Sequence, residues 1–122
     1  MPPVISIIDD DAWAREGINN LVVSLGYQTL TFASAEEFLE SGCIDRTACV
    51  ITDLQMPGLS GLDLQQRLTS QGQRISVIVV TAFPDDKCRL RALEAGAHGF
   101  LVKPFDEQCL MQCLSVAAGS PN

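Results

Sequence analysis

Positive charge is scarce in this 122-residue chain: eight Lys and Arg stand against fifteen Asp and Glu, for a net charge of −7. Nucleic-acid backbones are gripped by clustered Lys and Arg. The charge balance therefore excludes a direct nucleic-acid contact by this domain. Long hydrophobic runs are lacking too. No stretch approaches the roughly 20 apolar residues that cross a bilayer. Met1-Pro2-Pro3 has neither the basic nor the apolar region of a secretory signal. A cytoplasmic protein with no membrane partner is expected. Histidine occurs once, as His98, and the five cysteines (Cys43, Cys49, Cys88, Cys109 and Cys113) contain no Cys-x-x-Cys pair. Cys109 and Cys113 would share a helix face, but together they offer zinc only two of its usual four ligands. Reduced thiols packed as small apolar residues are the expectation.

What is present is an alternation of strand-like and helix-like segments within a length that suits one domain. Four short apolar runs each end in a polar group. Val4-Ile5-Ser6-Ile7-Ile8 leads into Asp9-Asp10-Asp11, and Ala48-Cys49-Val50-Ile51-Thr52 ends at Asp53. Ile75 to Val80 ends at Thr81, and Gly99-Phe100-Leu101-Val102 ends at Lys103-Pro104. Strands of this kind, buried on both faces, belong to parallel sheets, where ligands gather at the carboxyl edge. A further segment, Tyr27 to Phe32, mixes polar and apolar residues and suits an edge strand.

Helices are expected between the strands. Ile18, Leu21, Val22 and Leu25 repeat at helical spacing across residues 12 to 25, with Gly26 as a stop. Ser34 and Glu37 have the spacing of a capping box ahead of Phe38 and Leu39. Leu64 and Leu68 mark a third helix ended by Gly72. Pro84-Asp85-Asp86 opens a fourth, with Leu90, Leu93 and Ala97 along its inner side. Leu110, Leu114 and Ala117 line a fifth. Ala118-Gly119-Ser120-Pro121-Asn122 has the composition of a linker or tail.

The strand-end residues have a common chemistry. Carboxylates about 5 Å apart repel by roughly 3 kcal/mol per pair at an effective dielectric near 20. Asp9, Asp10 and Asp53 can therefore share a site only if a cation or proton offsets them. Hard oxygen ligands on a compact site suit Mg²⁺. A lysine at the same edge can neutralise phosphate, and a threonine hydroxyl can donate to a phosphoryl oxygen. Lys103 and Thr81 fill those roles, and the set suits Mg²⁺-assisted phosphoryl transfer.

Asp9-Asp10, Asp53 with Met56-Pro57-Gly58 and Gly61, Thr81-Ala82, and Lys103-Pro104-Phe105 resemble the receiver domain of bacterial two-component response regulators in order and spacing. The resemblance covers nearly the whole chain and implies a doubly wound, flavodoxin-like α/β fold. Five parallel strands would lie in the order 2-1-3-4-5 with five helices, residues 1–118 forming the receiver and 119–122 starting a linker or tail. It implies that Asp53 accepts phosphate from a sensor histidine kinase. Asp10, Asp53 and the backbone carbonyl of Gln55 would bind Mg²⁺, or Mn²⁺, directly, and Asp9 through water. Lys103 would neutralise the phosphoryl group across a cis bond to Pro104, and Thr81 and Phe100 would form the switch. Gln55 and Phe83 would tune phosphate lifetime. The protein would be a phosphoacceptor that catalyses its own phosphorylation and dephosphorylation, not an enzyme with turnover. Its output would run through the last two helices and the strand between them, a surface that also suits a homodimer. Transcription would be controlled through a helix-turn-helix output domain, or a stand-alone receiver would act by protein contact.

Three other readings fit less of the chain. Asp9 and Asp11 mimic the paired aspartates of haloacid-dehalogenase-like phosphatases, but Trp13-Ala14 stands where their threonine is needed. A flavodoxin-like cofactor module cradles phosphate on backbone amides, which three aspartates would repel. A degenerate, unphosphorylated domain would not need every one of these side chains.

Overall fold

The computed structural model describes residues 3–73, 75–83 and 85–119. Strands and helices alternate: β1 (Val4–Ile8), α1 (Ala12–Ser24), β2 (Gln28–Phe32), α2 (Ala35–Glu40), β3 (Thr47–Asp53), α3 (Gly61–Ser70), β4 (Ser76–Thr81), α4 (Asp86–Glu94), β5 (Gly99–Val102) and α5 (Glu107–Ala117). A single 3-10 turn, Ile44–Arg46, precedes β3. The strands form one parallel sheet in the order β2-β1-β3-β4-β5. This is the expected doubly wound topology.

Alternation along the strands divides the core into two layers. Ile5, Ile7, Cys49, Ile51, Ile78 and Val80 meet Ile18 and Val22 of α1 and Leu110 and Leu114 of α5. Ile8, Val50, Val77 and Val79 meet Phe38 of α2, Leu64 and Leu68 of α3, and Ala92 of α4. Strands covered on both faces need apolar residues at nearly every position, which explains the continuous runs in the sequence.

Three local expectations need adjustment. Tyr27 is buried but precedes β2, which begins at Gln28. Ser34 caps α2 by accepting the Glu37 N–H at 3.0 Å, yet the Glu37 side chain does not reach back. The complete reciprocal box lies instead at α3, between Ser60 and Asp63. Leu90 and Leu93 were expected inward, but they are 58% and 45% exposed, and Ala92 is the buried residue of α4. This short helix carries charges around most of its circumference, so only a narrow stripe can touch the sheet. Pro84 and Ser120-Pro121-Asn122 lie outside the described residues, so the helix-opening proline and most of the linker go untested.

The Ser60 box matters because α3 holds the loop that follows β3. Ser60→Ala is expected to lower stability by about 1 kcal/mol. Urea unfolding should show a lower midpoint with an unchanged slope, and an unchanged midpoint would contradict the assignment.

Candidate functional site

Sheet register brings the polar strand ends together. Ile8 pairs with Thr52, so Asp9 and Asp53 leave adjacent strands at the same level. Asp53 pairs with Val80, and Thr81 with Val102, which carries Thr81 and Lys103 to the same edge. The ladder continues past the strands: Leu54 N–H donates to Val80 O and Lys103 N–H to Thr81 O, both at 2.8 Å. These bonds fix the tips before any side chain is considered.

Carboxylate oxygens of Asp9, Asp10 and Asp53 lie within 4.8 Å of one another. Asp9 has no exposed surface, Asp10 is exposed, and the Asp53 side chain is 14% exposed. Lys103 closes the cluster, with Nζ 2.9 Å from Asp9 Oδ2 and 3.4 Å from Asp53 Oδ2. The bond from Lys103 to Pro104 is cis, as expected.

The electrostatics follow from this placement. Burial pushes the Asp53 carboxyl above its ordinary value of 3.8. The Gln55 N–H on Oδ1 and the Lys103 ammonium pull it back, whereas Asp9 adds to the rise. For Lys103, burial alone would lower the ammonium, but its bond to Asp9 and the charge of Asp53 outweigh that and raise it. Three oxygen donors with one outer face open to solvent can hold a compact divalent cation. The ammonium beside Asp53 can stabilise added negative charge there.

The remaining expected residues sit around this cluster in different ways. Thr81 is fully buried, and its hydroxyl accepts the Phe83 N–H at 3.1 Å. Gln55 is exposed, with its N–H on Asp53 Oδ1 at 3.2 Å. Phe83 is 71% exposed, so its ring does not cover the carboxylates in this state. Phe100 pairs with Val79 and packs, partly buried, against the layer containing Ala92. Asp11 serves as the N-cap of α1, accepting the Trp13 N–H at 3.0 Å.

Two further residues shape the site: Gly61, which stood in the motif without this steric role, and Arg15, which was not foreseen. A Cβ on Gly61 would come within 2.6 Å of the Asp53 carbonyl oxygen and 3.2 Å of Leu54 Cα. Glycine there lets the loop from Leu54 to Ser60 close directly beneath Asp53. Arg15 Nη1 donates to the Asp9 backbone carbonyl at 2.7 Å and steadies the β1 tip. The Arg15 contact depends on no local pattern that the sequence displays.

Comparison with known proteins agrees with this geometry. The family model for the response regulator receiver domain matches residues 5–115. The chain belongs to that family. Among curated relatives, nodulation protein W of Bradyrhizobium diazoefficiens is 37% identical over 114 residues, covering 93% of this chain and 50% of that protein. The transcriptional regulatory protein FixJ of Azorhizobium caulinodans is 36% identical over 115 residues, covering 94% and 54%. The solved structure of the response regulator StyR superposes with a TM-score of 0.88 at 38% identity, over 97% of this chain and 60% of that one. The structure titled FixJ-N gives 0.88 at 29% identity, over 97% and 94%. The chain spans about half the length of the curated relatives it matches. It is, more particularly, a receiver domain of the two-component kind.

Asp53 supplies a pH test in metal-free buffer. Its carboxyl is raised from 3.8, so the folded chain holds that proton more tightly than the unfolded chain. Stability contributed by this group therefore falls as pH rises from 3.8 through the raised value, and stays lower above it. Asp53→Asn lacks that fall. Its urea midpoint relative to the parent should climb across this window and level off above it. A relative midpoint that declines with pH would contradict the stated cause.

Proposed function

We propose that Asp53 is the phosphoacceptor of a Mg²⁺-dependent signalling switch whose donor is a phosphohistidine on a sensor histidine kinase. The observation that carries this reading is the convergence of Asp9, Asp10, Asp53 and Lys103 at one strand edge. An Asp53 carboxylate oxygen attacks phosphorus, the phosphorus–nitrogen bond breaks, and its electron pair returns to the imidazole. The transition state spreads charge over three equatorial oxygens, so positioning and charge compensation do most of the catalysis. Asp10, Asp53 and the Gln55 carbonyl would hold Mg²⁺, with Asp9 acting through water, and the ion would offset charge on the phosphoryl oxygens. Lys103 leaves its partner Asp53 for the phosphoryl group, and Thr81 exchanges the Phe83 N–H for a phosphoryl oxygen. Phe100 moves into the space that Thr81 vacates.

On this reading the protein promotes its own phosphorylation and dephosphorylation without turning over a substrate. Its signal leaves through α4, β5 and α5, a surface that also suits a homodimer. Residues 1–118 form the receiver, and 119–122 begin a linker or tail. Relatives about twice as long include one named a transcriptional regulatory protein. That supports control of transcription through an output domain, with no nucleic-acid contact by the receiver itself. Among the described residues no helix is long and apolar enough to cross a membrane, which fits a cytoplasmic site of action.

Incubation with a small phosphodonor and Mg²⁺ should give an acid-labile adduct on the parent chain and none on Asp53→Asn. Stoichiometric labelling of the Asn variant would contradict the assignment. Lys103→Ala should retain Mg²⁺ binding yet lose the conformational response.

Phosphate lifetime is a separate outcome. Phe83 stands exposed two residues past Thr81, and its ring would shield an acyl phosphate on Asp53. After removal of free donor the adduct should persist for minutes or longer, whereas a half-life of seconds would contradict shielding by Phe83.

A further inference from the structure

Gln65 is out of character for its position. It lies in α3 between Leu64 and Leu68, with 2% of its surface exposed. Its Nε2 donates to the Ala92 carbonyl of α4 at 3.4 Å, near the long limit for such a bond. Its Oε1 is buried and has no partner among the described residues. Turning the amide round would not help, because it would set two acceptor oxygens against each other. A buried acceptor without a donor is destabilising, and an apolar side chain of similar size would avoid that penalty.

The helix that Gln65 touches is lightly held. Ala92 is the buried residue of α4, while Leu90 and Leu93 face outward. The C-terminal turn closes through Gly96, at φ 97°, with Gly96 N–H on Leu93 O and Ala97 N–H on Ala92 O, both at 3.0 Å. Gln65 therefore shares its only acceptor with the cap of α4. A cavity of about 360 Å³ lies between the end of α3, the start of β4 and the segment that follows α4, lined among others by Gln65, Leu68, Ser76, Val77, Gly96 and His98. That space borders the turn that ends α4. At its other end, α4 is joined to the carboxylate edge: Thr81 Oγ1 accepts from Phe83 N–H at 3.1 Å, and Asp85 caps the helix.

We propose that Gln65 is a positioning residue for α4. Its unmet acceptor destabilises the resting placement of the helix and so lowers the cost of displacing α4 in the activated protein. The inference rests on the phosphoacceptor reading of Asp53 and adds the residue that sets how readily the switch moves.

Gln65→Met and Gln65→Leu remove the orphaned oxygen while keeping an apolar side chain of comparable size. Both should melt higher than the parent in the absence of phosphodonor. Both should need about tenfold more beryllium trifluoride, at fixed Mg²⁺, for half of the protection change in α4 amides read by hydrogen exchange. In the parent chain, the Gln65 side-chain NH₂ resonances should shift on the same titration. Lower melting of both variants, or a beryllium trifluoride midpoint equal to the parent's, overturns the role of Gln65 even though the parent still responds. A parent chain that gives no response at all removes the phosphoacceptor reading, and this inference with it.

Discussion

The arrangement at the strand edge depends on one ion pair. Asp9 is wholly enclosed at the tip of β1, and the Lys103 ammonium reaches it at 2.9 Å from the far side of the sheet. Without that cation, three carboxylates within 4.8 Å would repel one another in a partly enclosed space. Lys103 is in turn placed by its N–H bond to the Thr81 carbonyl. A side chain from the last strand thus sets the spacing of groups on the first and third. Because the ammonium also contacts Asp53, the charge that steadies the resting cluster stands beside the atom where new negative charge would arrive.

Much of this was legible in the sequence because parallel strands announce themselves. Runs such as Val77 to Val80 are apolar at successive positions, and the residues that end such runs, Asp53, Thr81 and Lys103, then fall at one edge by topology alone. What could not be read was anything set by close approach across the fold. Gly61 belongs to the motif after Asp53, but the reason for a glycine there is the Asp53 carbonyl that lies against it. The bond from Arg15 to Asp9 is made by a helical side chain reaching back over the strand tip, with no periodicity to signal it. The inward expectation for Leu90 and Leu93 failed because hydrophobicity does not say which stripe of a short, charged helix meets the sheet.

The molecule divides into a firm part and a light part. The central strands β1, β3 and β4 are enclosed on both faces, and their ladder bonds run on beyond the last strand residues. By contrast, α4 has one fully buried residue, Ala92, with Cys88 partly buried against the same layer, and among the described residues its side-chain bond to α3 is a long amide bond. Elements with few buried apolar contacts occupy the low-stability end of a fold and move first. Thr81, fully buried and bonded to the loop that leads into α4, lies where the two parts join. Asp53 and the start of the loop into α4 thus share one edge of the sheet.

The claim that most needs a direct measurement is that the three strand-tip carboxylates hold a divalent ion next to Asp53. Anomalous diffraction from crystals of this chain soaked in Mn²⁺ would locate it. The account predicts a single strong peak in direct contact with carboxylate oxygens of Asp10 and Asp53, and one water removed from Asp9. A carboxylate cluster left empty while Mn²⁺ occupies other acidic residues would contradict it.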